Sequence, residues 1–176
     1  MATQSRGLTA RIGALTMALV LASCGGRTQL IPAYQIGRLS SDAVVAHDGG
    51  VRVVIGTAAW PGPPLDFMPV IPIEMTLDNG STYRVQVNRQ YVALVTEAGT
   101  RVAPSDPSEL PAQESTLESL KARALPERVL APDERITGFV YFVQPREAEQ
   151  LELVIDLVDA ATDKQFGRIE IPFAFE

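Results

Sequence analysis

His47 is the single histidine of the chain and stands beside Asp48, so the pair is tested first as an activator of a nucleophile. That chemistry requires a serine placed to hand its proton to the imidazole and an oxyanion site facing it. No Gly-x-Ser-x-Gly elbow occurs in the sequence. Adjacent residues also cannot easily turn their side chains towards each other in triad geometry. With Gly49-Gly50 following, the pair reads as a solvated turn. Asp156, Asp159 and Asp163 crowd a second turn with the oxygen donors that calcium uses, but without the Asp-x-Asp-x-Asp-Gly spacing of an EF-type loop. Hydrogen bonds from nearby amides account for that cluster without an ion. One histidine with carboxylates falls short of a zinc set, so neither metal nor cofactor is expected. Glu147, Glu149 and Glu152 could contribute to glycoside hydrolysis, which depends on a carboxylate separation in space. A solvated acidic face is the plainer reading.

The segment Trp60-Pro61-Gly62-Pro63-Pro64 offers recognition instead of catalysis. Proline lacks the amide donor, so this run interrupts a ladder and forms a loop. A proline-rich loop is pre-ordered, and tryptophan is favoured where binding energy concentrates. Trp60, Pro61, Pro63 and Pro64 are therefore candidate partner-binding residues. The competing reading folds Trp60 back over the end of the domain as a plug, since tryptophan is highly buried on average.

Cys24 is the only cysteine, and its surroundings are distinctive. Residues 1–11 carry Arg6 and Arg11 and no acid, and Ile12 to Ala22 follow as an apolar stretch of 11 residues. A membrane-spanning helix needs about 20 apolar residues, so this run has the length of an export signal. It ends in Leu21-Ala22-Ser23-Cys24, followed by Gly25-Gly26. These residues closely resemble the bacterial lipobox: an aliphatic residue, two small ones, then cysteine. The resemblance implies that Cys24 is alkylated with diacylglycerol and that a dedicated peptidase removes residues 1–23. The new amine is then usually acylated too. One acyl chain gives marginal membrane residence at about 0.8 kcal/mol per buried methylene, whereas two or three hold firmly. Under the sorting rule of enteric-type bacteria, Gly25 in place of aspartate points to the periplasmic face of the outer membrane.

Losing Arg6 and Arg11 takes the basic groups from 15 to 13 against 21 acids, a net charge of about −8. Such a field repels a phosphate backbone, and nucleic acid is not an expected partner. The remaining 153 residues (176 less 23) suffice for a core without disulfides or metal.

Residues 24–41 read as a lipidated N-terminus and tether, and the domain is placed at 42–176. Within it, short alternating runs are punctuated by turn residues, the pattern of β-structure. Val51, Val53 and Ile55 share a face, as do Ile71, Ile73, Met75 and Leu77, with Pro72 marking an edge or bulge. Asn79-Gly80 supplies a turn before Val85 and Val87. Ile136 to Val143 is apolar on both faces, as a central strand would be. Leu151, Leu153, Ile155 and Leu157 alternate, and so do Ile169, Ile171, Phe173 and Phe175. Between residues 104 and 135 the pattern changes. Ser115-Thr116-Leu117-Glu118 has the spacing of a capping box, Leu117, Leu120 and Ala124 share a helical face, and Pro126 ends the segment. Seven to eight strands without long helices predict an all-β, two-sheet antiparallel sandwich with one short crossover helix near 115–125. Its core is expected to include Val53, Ile55, Ile73, Met75, Leu77, Val85, Val140, Phe142, Leu153, Ile155, Ile171 and Phe173.

Ile71–Val87, running into Asn79-Gly80-Ser81, resembles the opening of small immunoglobulin-like domains of secreted bacterial lipoproteins. Leu130-Ala131-Pro132-Asp133-Glu134, followed by Gly138-Phe139-Val140-Tyr141-Phe142, is similar to their later segment, with Asp133 where glycine is commoner. The resemblance implies an immunoglobulin-like sandwich, and some such domains are proteinase inhibitors. The expected role is that of a non-enzymatic, lipid-anchored envelope protein that binds another envelope protein. A proteinase-inhibitor-like module and a carboxylate-dependent hydrolase of envelope polymers are the alternatives.

Overall fold

The protein is described by a computed structural model over residues 30–33, 38–40, 42–58, 60–63, 65, 69–145 and 150–175. The expected signal, Cys24 and Pro64 lie outside these residues. In chain order the strands are β1 (Leu30–Pro32), β2 (Arg38–Ser40), β3 (Ala43–Asp48), β4 (Val51–Gly56), β5 (Val70–Asn79) and β6 (Val85–Val87). They continue as β7 (Val92–Thr96), β8 (Arg101–Val102), β9 (Arg128–Leu130), β10 (Arg135–Val143), β11 (Gln150–Asp159) and β12 (Lys164–Phe175). Helix α1 (Glu114–Arg123) lies in the connection between β8 and β9.

Two antiparallel sheets face each other. One has the order β10-β5-β4-β3-β2. The other runs β1-β12-β11, and β7 and β6 follow one another along the free side of β11, with β8 beside β7 and β9 beside β6. The period-two pattern decides which side chains meet between the sheets, because successive residues of a strand point to opposite faces. All twelve expected core residues are buried in one cluster between the sheets. The all-β sandwich with one helix is therefore the fold.

Several local expectations need correction. The domain starts before residue 42: Leu30 is 2 % exposed and pairs with Phe175, and β2 pairs with β3. Apolar residues at 30–32 are too few to reveal a strand whose partner lies at the far end of the chain. β10 is an edge strand, although both its faces are covered. Ile136, Val140 and Phe142 face the main core, while Phe139 and Tyr141 on the opposite face join a second cluster with Leu65, Leu110 and Leu120. Helix α1 begins one residue before Ser115. Gln113 is its N-cap, no side chain caps it, and the expected capping box does not form.

Asn79-Gly80 does not close a hairpin either, since β5 and β6 belong to different sheets. Asn79 is fully buried at that corner, and its side chain serves as the knot. Nδ2 donates to the Tyr83 and Leu130 carbonyls at 2.9 and 3.1 Å, and Oδ1 accepts from the Ser81 amide and hydroxyl at 3.1 and 2.6 Å. The true two-residue hairpin is Gly49-Gly50 between β3 and β4, where φ values of 53° and 81° suit a turn that glycine adopts without steric cost. His47 thus belongs to β3, opposite Arg52, and not to the turn. Pro72 meets its expectation in a local sense. It lies two residues beyond Glu74, the last β5 residue paired with β4, so no ladder needs its missing amide on that side.

Candidate functional site

Among the described residues, the connection from β8 to β9 builds a cleft-bearing surface. It crosses the free edge of β10, where the Ser105 amide donates to the Tyr141 carbonyl at 2.7 Å and the Leu125 amide to the Phe139 carbonyl at 2.8 Å. An exposed edge strand invites pairing with another chain, and here the chain covers its own edge. Gly138 makes the approach feasible, because a Cβ there would lie 2.5 Å from the Leu125 Cα.

A cleft of about 320 Å³ opens between this connection and the sheet, lined in part by Arg89, Asp106, Lys121, Glu127, Phe139 and Tyr141. Arg89 Nη1 donates to Asp106 Oδ2 and Nε to Glu127 Oε1, each at 2.8 Å. The Ser108 hydroxyl and amide also bind Asp106, which caps the short 3-10 turn Pro107–Glu109. These bonds, those from Ser108 foremost, hold the Asp106 carboxyl far below the usual carboxylate range. The Arg89 guanidinium also lowers the ionisation of the Glu127 carboxyl, and Arg89 itself is pushed up by both acids. At neutral pH the trio is one cation between two anions. Tyr141 donates its hydroxyl to the Leu120 carbonyl at 2.9 Å, and burial pushes its ionisation well above the normal range. Arg89, Asp106, Glu127 and the Tyr141 hydroxyl are thus engaged in holding the connection on the sheet, while Lys121 pairs with Glu118 on its own helix.

Trp60 borders the same region. Its ring meets Phe139 and Tyr141 edge-on, with centroids 5.2 and 5.9 Å away, and Nε1 donates to the Pro63 carbonyl at 2.8 Å. A Cβ on Gly62 would come within 2.1 Å of the indole, so the loop folds its tryptophan directly over its own glycine. Trp60 is half-buried against the second cluster and keeps an accessible edge, while Pro61 is exposed and Pro63 half-buried. Trp60 therefore packs on the outer face of β10 and not over the open end of the sandwich, and it is only partly shielded from solvent.

The structure does not bring the other candidates together. His47 is exposed, while Asp48 Oδ2 accepts from the Arg168 amide at 2.7 Å and so ties β3 to β12 across the two sheets. Asp156 stands on the outer face of β11 between Arg101 and Arg168, at 3.2 and 3.4 Å. Asp159 turns inward, accepting from the Thr162 hydroxyl at 2.7 Å and the Ala161 amide at 3.2 Å, bonds that lower its ionisation. Asp163 occupies the left-handed region at φ 58°, as does Asp133 at φ 62°. Short polar side chains such as aspartate tolerate that conformation. Among the described residues no group of three or more histidine, cysteine or acidic side chains could hold a metal. Glu152 is half-buried on β11, whereas Glu147 and Glu149 lie outside the described residues.

Sequence reasoning missed the Arg89 trio. Asp106-Pro107-Ser108-Glu109 is a readable start signal for a helical turn, with aspartate as cap and proline first. Nothing local announces that Arg89 reaches across to Asp106 and Glu127.

No family model matches the chain, and no curated protein matches it. Solved structures similar at low identity include the following three. The ycdA protein of Bacillus subtilis, described as a candidate lipoprotein, is 13 % identical with a TM-score of 0.47, over 72 % of this chain and 38 % of its own. The yjhA protein of Bacillus subtilis is 16 % identical with a TM-score of 0.49, over 70 % of this chain and 93 % of its own. A protein of unknown function from Listeria monocytogenes is 13 % identical with a TM-score of 0.46, over 85 % of this chain and 89 % of its own.

Proposed function

We propose that this chain is a lipid-anchored protein of the bacterial cell envelope, tethered through Cys24, and that it binds another envelope protein without catalysing a reaction. The observation that carries the proposal is Leu21-Ala22-Ser23-Cys24 behind a basic start and an apolar run too short to span a bilayer. No helix among the described residues is long and apolar enough to cross a membrane. Tethering supports a binding role, because it confines the domain to a thin layer and raises its effective concentration towards partners on the same surface. The cleft supports a non-catalytic reading: Asp106 and Glu127 are each committed to Arg89, and the Tyr141 proton to a carbonyl. The periplasmic face of the outer membrane is the location we favour, on the strength of Gly25.

Intact mass spectrometry of membrane-extracted protein tests the anchor. The expected species begins at Cys24 and carries acyl chains. A Cys24→Ala protein that is exported and still fractionates with membranes would overturn the anchor. Turnover of an envelope polymer by the purified protein, abolished by Glu127→Gln, would overturn the binding role.

A further inference from the structure

Leu30 fixes where the chain enters the sandwich. It is 2 % exposed, pairs with Phe175, and its carbonyl accepts from the Thr57 hydroxyl at 2.7 Å. The entry point therefore lies at one end of both sheets. The same end carries the turn at Thr96–Thr100, since Thr96 pairs with Leu151 near the start of β11, and the loop that follows Thr57. The opposite end carries the Gly49-Gly50 hairpin, the Asn79 corner and the turn after Asp159. β11 is ten residues long, so at about 3.3 Å per residue the two ends are about 30 Å apart.

Six steps of chain separate Cys24 from Leu30. Fully extended, they reach about 20 Å. We infer that the anchored sandwich stands on its bilayer with the Leu30 end against the lipid headgroups and the Gly49-Gly50 end directed away. This rests on the acylation of Cys24 proposed above. The inverted orientation would require the tether to run back along the whole length of the sheets, about 30 Å, which it cannot span. Lying flat is opposed by charge, because the mature protein carries about −8 and an anionic headgroup layer repels it. The arginines on the outer face of β11 and β12 do not offset this, since Arg101 and Arg168 are already paired with Asp156, and Arg168 also with Glu170.

The orientation assigns the two ends different neighbours. The Trp60 side of the second cluster lies towards the membrane, within reach of a partner embedded in the same bilayer. The far end presents Tyr83, 45 % exposed and stacked on Phe166 at 4.4 Å, to whatever lies beyond.

Acylation consumes the only thiol, so one introduced cysteine can be labelled cleanly. Ala98→Cys marks the Leu30 end and Ala161→Cys the far end, both being exposed turn residues. The full lipidated protein is placed in phosphatidylcholine–phosphatidylglycerol vesicles containing lipid with a quencher on its headgroup. Quenching several-fold stronger at position 98 than at 161 is expected, and ten glycine and serine residues inserted between Arg27 and Thr28 should weaken the contrast. Equal quenching at the two positions or stronger quenching at 161 would overturn the orientation alone, and a contrast indifferent to the insertion would overturn the short tether as its cause. A mass without an acyl increment would overturn the anchor and the orientation with it.

Discussion

At the scale of single residues, the buried polar group with most to lose is Asn79. Its amide makes four hydrogen bonds at a corner where the chain passes from one sheet to the other. Asn79→Ala leaves the buried Leu130 carbonyl without that donor, and an orphaned buried group costs about 1–3 kcal/mol. We expect a loss of about 3 kcal/mol in denaturant unfolding. The sequence marks Asn79 only as half of a turn pair, because burial depends on β9 arriving from fifty residues later in the chain. Trp60 is the only tryptophan, so fluorescence reports on it alone. Gly62→Ala would drive a methyl group into the indole and shift its emission to longer wavelength as the ring moves into water. Trp60→Ala removes the edge-on contacts with Phe139 and Tyr141 and should destabilise by about 2–4 kcal/mol, a little below a fully buried aromatic. If partner capture also falls while an equally destabilising change such as Ile155→Ala leaves it intact, the exposed edge of Trp60 is a binding anchor.

At the scale of elements, the period-two pattern was sufficient to name the core but not the sheet order. Alternation is a property of one strand, whereas pairing is settled by the twist, the connections and the partner strands. β10 illustrates the limit. Apolar residues on both faces can mean a central strand or, as here, an edge strand whose outer face lies under a helix. The helix and its flanking turns are held down by Arg89 between Asp106 and Glu127. All three side chains are at least a third exposed, so the network is worth about 1 kcal/mol near neutral pH. Its pH dependence has a definite sign. Both carboxyls ionise lower in the folded protein than in the unfolded chain, so the folded state binds fewer protons. The contribution is complete above the unfolded value near pH 4 and is lost as pH falls through the depressed folded values. Arg89→Met should therefore lower the melting temperature at neutral pH, and the gap to the parent protein should narrow between about pH 4 and about pH 2.

At the scale of the whole molecule, the largest revision is where the folded unit begins. Composition assigns residues 24–41 to a tether, because glycine, serine, threonine and glutamine outnumber apolar residues there. Yet β1 lies beside β12, and Leu30 enters the main core. The contact joins nearly opposite ends of the described chain, the kind of pairing that local pattern cannot reveal. The stretch from Cys24 to the first described strand is then a third of the expected tether, and in the orientation inferred above that short reach decides which way the sandwich points. The two boundaries make opposite predictions for a truncated protein. If the unit began at residue 42, a form starting at Asp42 would unfold at the same denaturant concentration as one starting at Thr28. With β1 in the sheet, the shorter form loses the Leu30 side chain from the core and the backbone bonds of β1 to β12, and it uncovers that edge of β12. Removing a buried leucine side chain alone is worth about 2–5 kcal/mol. We expect the form starting at Asp42 to be less stable by at least that amount and to self-associate through the exposed edge at high concentration. Equal midpoints and a monomeric shorter form would return Leu30 to the tether.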